Sequence, residues 1–188
     1  MTYRTKQNSL RLTILLWLIC VGKLSLYTYP ATASDSIEKS GDAVQVLIPV
    51  IAYGTTFYLD DTEGRTQFYK SFLINLTVTH GLKYTIDKQR PNGSDRSFPS
   101  GHTSAAFQGA ASIHKRYGLK YSVPAYIGAS FVGYSRIESE HHYIEDVLAG
   151  AAIGIVSSFY FTEPYKGVVI TSFADKGNYG IRIRRNLE

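Results

Sequence analysis

Three apolar stretches of helical length constrain this chain more than any other feature. Residues 43–59 and 121–135 carry no charge, and Ile144–Phe161 carries none after Asp146. The third is rich in Ala and Gly, which favours close helix packing. Stretches of about 15 to 17 residues fall between the lengths expected of core helices and of membrane spans. Residues 68–86 place Phe72, Leu76 and Leu82 at helical spacing. That segment also carries Lys70, His80 and Lys83, which suit a lipid-facing span poorly. Another helix is predicted from Ser100 through Ala106 and Ala110 to about Tyr117. Pro49 marks a candidate kink, and Asp60-Asp61-Thr62-Glu63-Gly64 reads as a turn with an acidic start to the next helix. The fold class that follows is all-α, a helical bundle. A short C-terminal β-hairpin is expected from residues 168–172 and 179–184 about the turn Asp175-Lys176-Gly177-Asn178.

The first 33 residues have the layout of a secretory signal peptide: Arg4, Lys6 and Arg11, an apolar run over 12–21, then Ala31-Thr32-Ala33. Lys23 interrupts a run already too short to span a bilayer. The rival reading is an uncleaved anchor. With four basic residues in the leader, the 20 Lys and Arg nearly balance the 15 Asp and Glu elsewhere, so no nucleic-acid partner is indicated. The single Cys, Cys20, also lies in the leader, and a cysteine-free remainder suits an oxidising compartment. Residues 34–41 are expected to be a polar, mobile connector, 34–165 the helical domain, and 166–188 the hairpin tail.

Three blocks carry the chemistry: Lys83-x6-Arg90-Pro91, Pro99-Ser100-Gly101-His102, and Ser135-Arg136-x5-His142-x3-Asp146. Together they supply three cations, two histidines and a carboxylate. Lys83, Arg90 and Arg136 would cradle a phosphate, where charge builds on the oxygens during transfer. Ser100 and Gly101 open a helix whose exposed N–H groups favour an anion. Ser100 can cap that helix and donate to a phosphoryl oxygen, and Gly101 admits close approach. His102 is the candidate general acid. His142 and Asp146, four apart, are expected on one helix face, so that the carboxylate orients the ring and stabilises its cation. His141 and Glu145 share that spacing and read as a solvent-facing pair. Ser135 reads as a support for Arg136, and His80 and His114 as structural. Arg96 is a candidate substrate contact. No metal-ligand cluster is evident.

In order and spacing the three blocks resemble the type 2 phosphatidic acid phosphatase (PAP2) family, which shares its site with bacterial non-specific acid phosphatases and vanadium haloperoxidases. The likeness runs from Lys83 to Asp146, about a third of the chain. It implies a bundle of the PAP2/haloperoxidase type and cofactor-free, metal-independent hydrolysis. His142 would be the nucleophile, forming a phosphohistidine, with Asp146 as its orienter. It points to lipid phosphates such as phosphatidic acid, undecaprenyl diphosphate or lipid A. A soluble broad-specificity acid phosphatase is the alternative. A haloperoxidase or a non-catalytic module binding lipid phosphates follows less well. The expected setting is the cell envelope, as a globular periplasmic enzyme resting on a membrane face, with a polytopic enzyme embedded in the membrane as the alternative. Oligomeric state is left open.

Overall fold

The computed structural model describes residues 33–165, 168–175 and 178–185. Five helices make the bundle: α1 (Ala33–Tyr58), α2 (Thr62–Thr85), α3 (Gly101–Tyr117), α4 (Leu119–Glu138) and α5 (Ile144–Phe161). The three apolar stretches lie in α1, α4 and α5. All of the expected leader but Ala33 lies outside the described residues. Residues 34–41, expected to be mobile, form two turns of α1 instead. Packing against α4 explains the difference: Arg136 Nη2 donates to the Glu38 carbonyl at 2.8 Å. α1 also runs unbroken through Pro49.

Local signals set the helix ends. Asp61 caps α2 by accepting from Gly64 N at 2.9 Å. Its carboxylate also pairs with buried Arg116 at 2.6 Å, tying the start of α2 to the end of α3. Ser100 caps α3, and Gly118 closes it at φ 104°, a region that favours glycine.

α3 and α5 touch backbone to backbone. A Cβ on Gly150 would lie 2.4 Å from the Ser100 carbonyl oxygen, and one on Gly154 2.4 Å from that of Ser104. Both sequences advance together, so the helices run parallel with their N-termini side by side.

The interior is small and hydroxylated. Ala106, Ala110, Ala125 and Ala129 surround Ile48 and Val132. Beside them, Ser104 Oγ donates to Asn75 Oδ1 at 2.6 Å, and Gln108 Nε2 to Ser71 Oγ at 2.8 Å. Ser112 and Ser158 share a hydrogen bond of 3.0 Å. Many large apolar side chains face outward: Val50 is 59% exposed, Ile127 67% and Val156 66%. Having so many large apolar groups on the outside is unusual for a water-soluble domain. Among the described residues one helix, α5, is long and apolar enough to cross a membrane.

Beyond the bundle, β1 (Val168–Asp175) and β2 (Asn178–Arg185) pair antiparallel, with Asp175 opposite Asn178. Both strands run longer than the expected 168–172 and 179–184.

Candidate active site

One end of the bundle collects all three blocks. The N-termini of α3 and α5 bring His102 and Asp146, the C-terminal turns of α2 and α4 bring Lys83 and Arg136, and the α2–α3 loop brings Arg90. The two helix N-termini turn their unpaired N–H groups towards the same end, a setting that favours an anion.

His142 and Asp146 do not share a helix face. α5 starts at Ile144, so His142 lies in the preceding loop and Asp146 in the first turn. The helix starts late because Asp146 Oδ2 accepts from Tyr143 N at 3.0 Å, which caps the chain there. Asp146 Oδ2 still stands 3.6 Å from His142 Nδ1, longer than a hydrogen bond, which leaves Nε2 as the other ring nitrogen.

Sequence reasoning missed two groups that hold Asp146. Ser97 Oγ donates to Oδ2 and lies 3.5 Å from His142 Nδ1. Lys88 Nζ donates to Oδ1 at 2.7 Å and to Glu145 Oε1 at 2.7 Å. Both come from the loop between Lys83 and His102, where one Ser and one more Lys give no periodic signal.

His142 is buried. Burial lowers its pKa from the ordinary histidine range, and the charges of Lys83 and Arg90 lower it further, against the opposing pull of Asp146. The ring is therefore neutral at neutral pH, with a lone pair to give. Those same charges place Lys83 and Arg90 within electrostatic reach of the ring, as the blocks imply.

Each cation is also tied to the protein. Lys83 Nζ donates to the Arg96 carbonyl at 2.9 Å, and Arg90 Nε to the Asp95 carbonyl at 3.1 Å. Arg136 is buried, and three of its donors are engaged: Nη1 pairs with Asp42 Oδ1 at 2.9 Å, Nη2 meets the Glu38 carbonyl, and Nε donates to Ser135 Oγ at 3.1 Å. Ser135 thus supports Arg136, as its place in the sequence suggests. The Ser100 hydroxyl is fully buried against Thr103 Oγ1 at 2.9 Å, so its visible work is capping. A Cβ on Gly101 would meet Lys83 Cε at 3.7 Å and Thr79 Cγ2 at 3.9 Å, both ordinary contacts.

His102 Nε2 lies 3.2 Å from Asp42 Oδ1, a partner contributed by α1. His141 and Glu145 are not paired with each other. His141 Nε2 meets Glu38 Oε1 at 2.8 Å, and its Nδ1 lies 3.5 Å from Arg90 Nη1. Glu145 turns to Lys88 instead. Arg96 sits 4.5 Å above the Tyr84 ring, and His114 Nδ1 lies 3.2 Å from the Tyr126 hydroxyl.

Comparison with known proteins follows the same blocks. The pattern of the PAP2 superfamily matches residues 66–166, more than half of the chain. A lipid A 1-phosphatase of Porphyromonas gingivalis is 35% identical over 137 residues, covering 66% of this chain and 31% of that protein. The chain thus spans under a third of that relative's length. A lipid A 4'-phosphatase of Helicobacter pylori is 28% identical over 174 residues, covering 86% of this chain and 85% of that one. Among solved structures, the crystal structure of Aquifex aeolicus LpxE is alike in fold, with a TM-score of 0.57 at 22% identity over 76% of this chain and 92% of that chain.

Proposed function

The chain belongs to the PAP2 superfamily, and from that premise we propose that it removes phosphate from membrane lipids through a histidine nucleophile. One observation carries the reading: a buried, neutral His142, backed at Nδ1 by Asp146, lies under the charges of Lys83 and Arg90 while His102 stands at the neighbouring helix start.

In the proposed reaction, His142 Nε2 attacks phosphorus and the ester P–O bond breaks. Lys83, Arg90 and the helix N-termini stabilise the charge on the phosphoryl oxygens. The departing oxygen takes a proton from His102. Water then attacks the phosphohistidine and gives its proton to His102. The N–P bond breaks and inorganic phosphate leaves.

A lipid substrate is supported by the outer surface. Between the site and the opposite Asp61–Arg116 end, the bundle presents Val50, Leu73, Ile127, Leu148 and Val156 outward. The 18 residues of α5 rise about 27 Å at about 1.5 Å each, close to the roughly 30 Å of a bilayer's hydrocarbon core. Small and hydroxylated interior faces suit helix packing in lipid. This favours a bundle embedded in the membrane, with α5 the one described helix long and apolar enough to cross it, rather than one resting on a membrane face. The site would then open at the headgroup level. The names of the two relatives make lipid A the first substrate to try.

The test is phosphate release by the full chain in detergent micelles with EDTA, offered lipid A, phosphatidic acid, undecaprenyl diphosphate or para-nitrophenyl phosphate. Turnover of a lipid that disappears in His142→Ala is expected. Turnover confined to para-nitrophenyl phosphate would overturn the lipid reading, and no turnover by folded protein would overturn both.

A further inference from the structure

We propose that Asp42, on α1, is a positioning residue for proton delivery by His102. α1 precedes the stretch 66–166 that carries the family pattern, and no block of the sequence points to it. The contact is nonetheless built. Gly41 lets α1 approach α4 so closely that a Cβ there would lie 2.0 Å from Ser135 Oγ and 2.9 Å from Arg136 Nη2. That approach sets one carboxylate oxygen, Asp42 Oδ1, 2.9 Å from Arg136 Nη1 and 3.2 Å from His102 Nε2. Both side chains are partly open to solvent, 48% for Asp42 and 41% for His102, so the pair sits at the mouth of the site.

With a carboxylate paired to Arg136 lying 3.2 Å from Nε2, the charged ring is favoured electrostatically on that side, and Nδ1 remains to hand over a proton. Burial acts first against a charged ring at His102, and Arg136 from α4, His141 from the α4–α5 loop and Arg90 from the α2–α3 loop add to it, while Asp42 is the anion set against them. In the step the P–O bond breaks, the alkoxide gains the Nδ1 proton, and the neutral ring stays beside Asp42 for the water step.

This rests on the phosphatase reading and refines it. A role in proton delivery has a signature that a structural role lacks. A nitrophenolate leaves as an anion without a proton, whereas an alkoxide does not. The experiment uses the full chain in micelles and compares kcat/KM for dodecyl phosphate with that for a nitrophenyl phosphate carrying the same alkyl chain. Asp42→Asn should lower the alkyl value by about 10- to 100-fold and the aryl value by less than about threefold. Asp42→Glu, measured beside it, should recover part of the alkyl rate. Equal losses on both substrates would overturn the proposal, as would a lower KM with unchanged turnover, which would mean that Asp42 merely neutralises Arg136. If wild-type protein releases phosphate neither from these two substrates nor from lipid A, phosphatidic acid, undecaprenyl diphosphate or para-nitrophenyl phosphate, the phosphatase reading itself fails and this proposal falls with it. Thermal unfolding of Asp42→Asn near that of wild type would exclude a general loss of fold as the cause.

Discussion

Lys88 Nζ lies 2.7 Å from Asp146 Oδ1, and the Asp146 side chain is completely buried. Burial works against the charge on Lys88, but its bonds to Asp146 and Glu145 outweigh that and hold its pKa above the ordinary lysine range. The loop before Arg90 therefore carries the counterion for the buried carboxylate beside His142.

Removing that counterion should be felt at the nucleophile. Lys88→Met leaves a buried carboxylate with fewer partners, a loss of about 1–3 kcal/mol. Turnover should fall by roughly 10-fold or more, and thermal unfolding should come earlier. Wild-type rates in this variant would mean that Ser97 and Tyr143 N hold Asp146 unaided.

Two neighbouring histidines should behave very differently. His142→Ala is expected to lose roughly 10⁴-fold in turnover with the fold intact. His141→Ala, which loses contacts to Glu38 and Arg90, should stay within about 10-fold of wild type. The reverse ranking, measured as phosphate release, would move the nucleophile by one residue.

The pH profile supplies a separate check. The neutral His142 ring stays neutral as the pH falls past about 6.5, the ordinary histidine value, because burial, Lys83 and Arg90 hold its pKa down. Deleting a cation favours the protonated ring, so the pKa rises and the acidic limb of kcat/KM moves to higher pH. Lys83→Met or Arg90→Gln should move it by about one pH unit, apart from any loss in binding. An unmoved limb would confine these cations to holding substrate.

Packing predicts a contrast between glycines. An added Cβ at Gly154 meets the backbone of α3, whereas one at Gly54 meets nothing within 4 Å. Gly154→Ala should therefore destabilise by about 1–3 kcal/mol, while Gly54→Ala should be neutral or stabilising by up to about 1 kcal/mol. Thermal unfolding in detergent reads both.

Much of this arrangement is legible in the sequence because it is local. Residues 144–161 are apolar at helical length and form α5 as expected, and Ser100 caps α3 as its type and place suggest. The placement of His142 was less legible: spacing alone puts it on a helix with Asp146, but a carboxylate that caps Tyr143 N delays the helix to Ile144. Asp42, Lys88 and Ser97 carry no local signature. They join the site only through contacts distant in sequence, which periodicity cannot register.

The direct backbone contact of α3 with α5 has a consequence for how such a protein can diversify. His102 rides on one helix and His142 just ahead of the other, and with no side chains between them at Gly150 and Gly154 the pair behaves as one stiff frame. A hinge between the two histidines has nowhere to sit. Opening and substrate choice are left to α1, to the 86–100 loop and to the outward faces, none of which sets the spacing of that frame. A lineage could therefore change its substrate by changing those parts alone while the two histidines kept their separation.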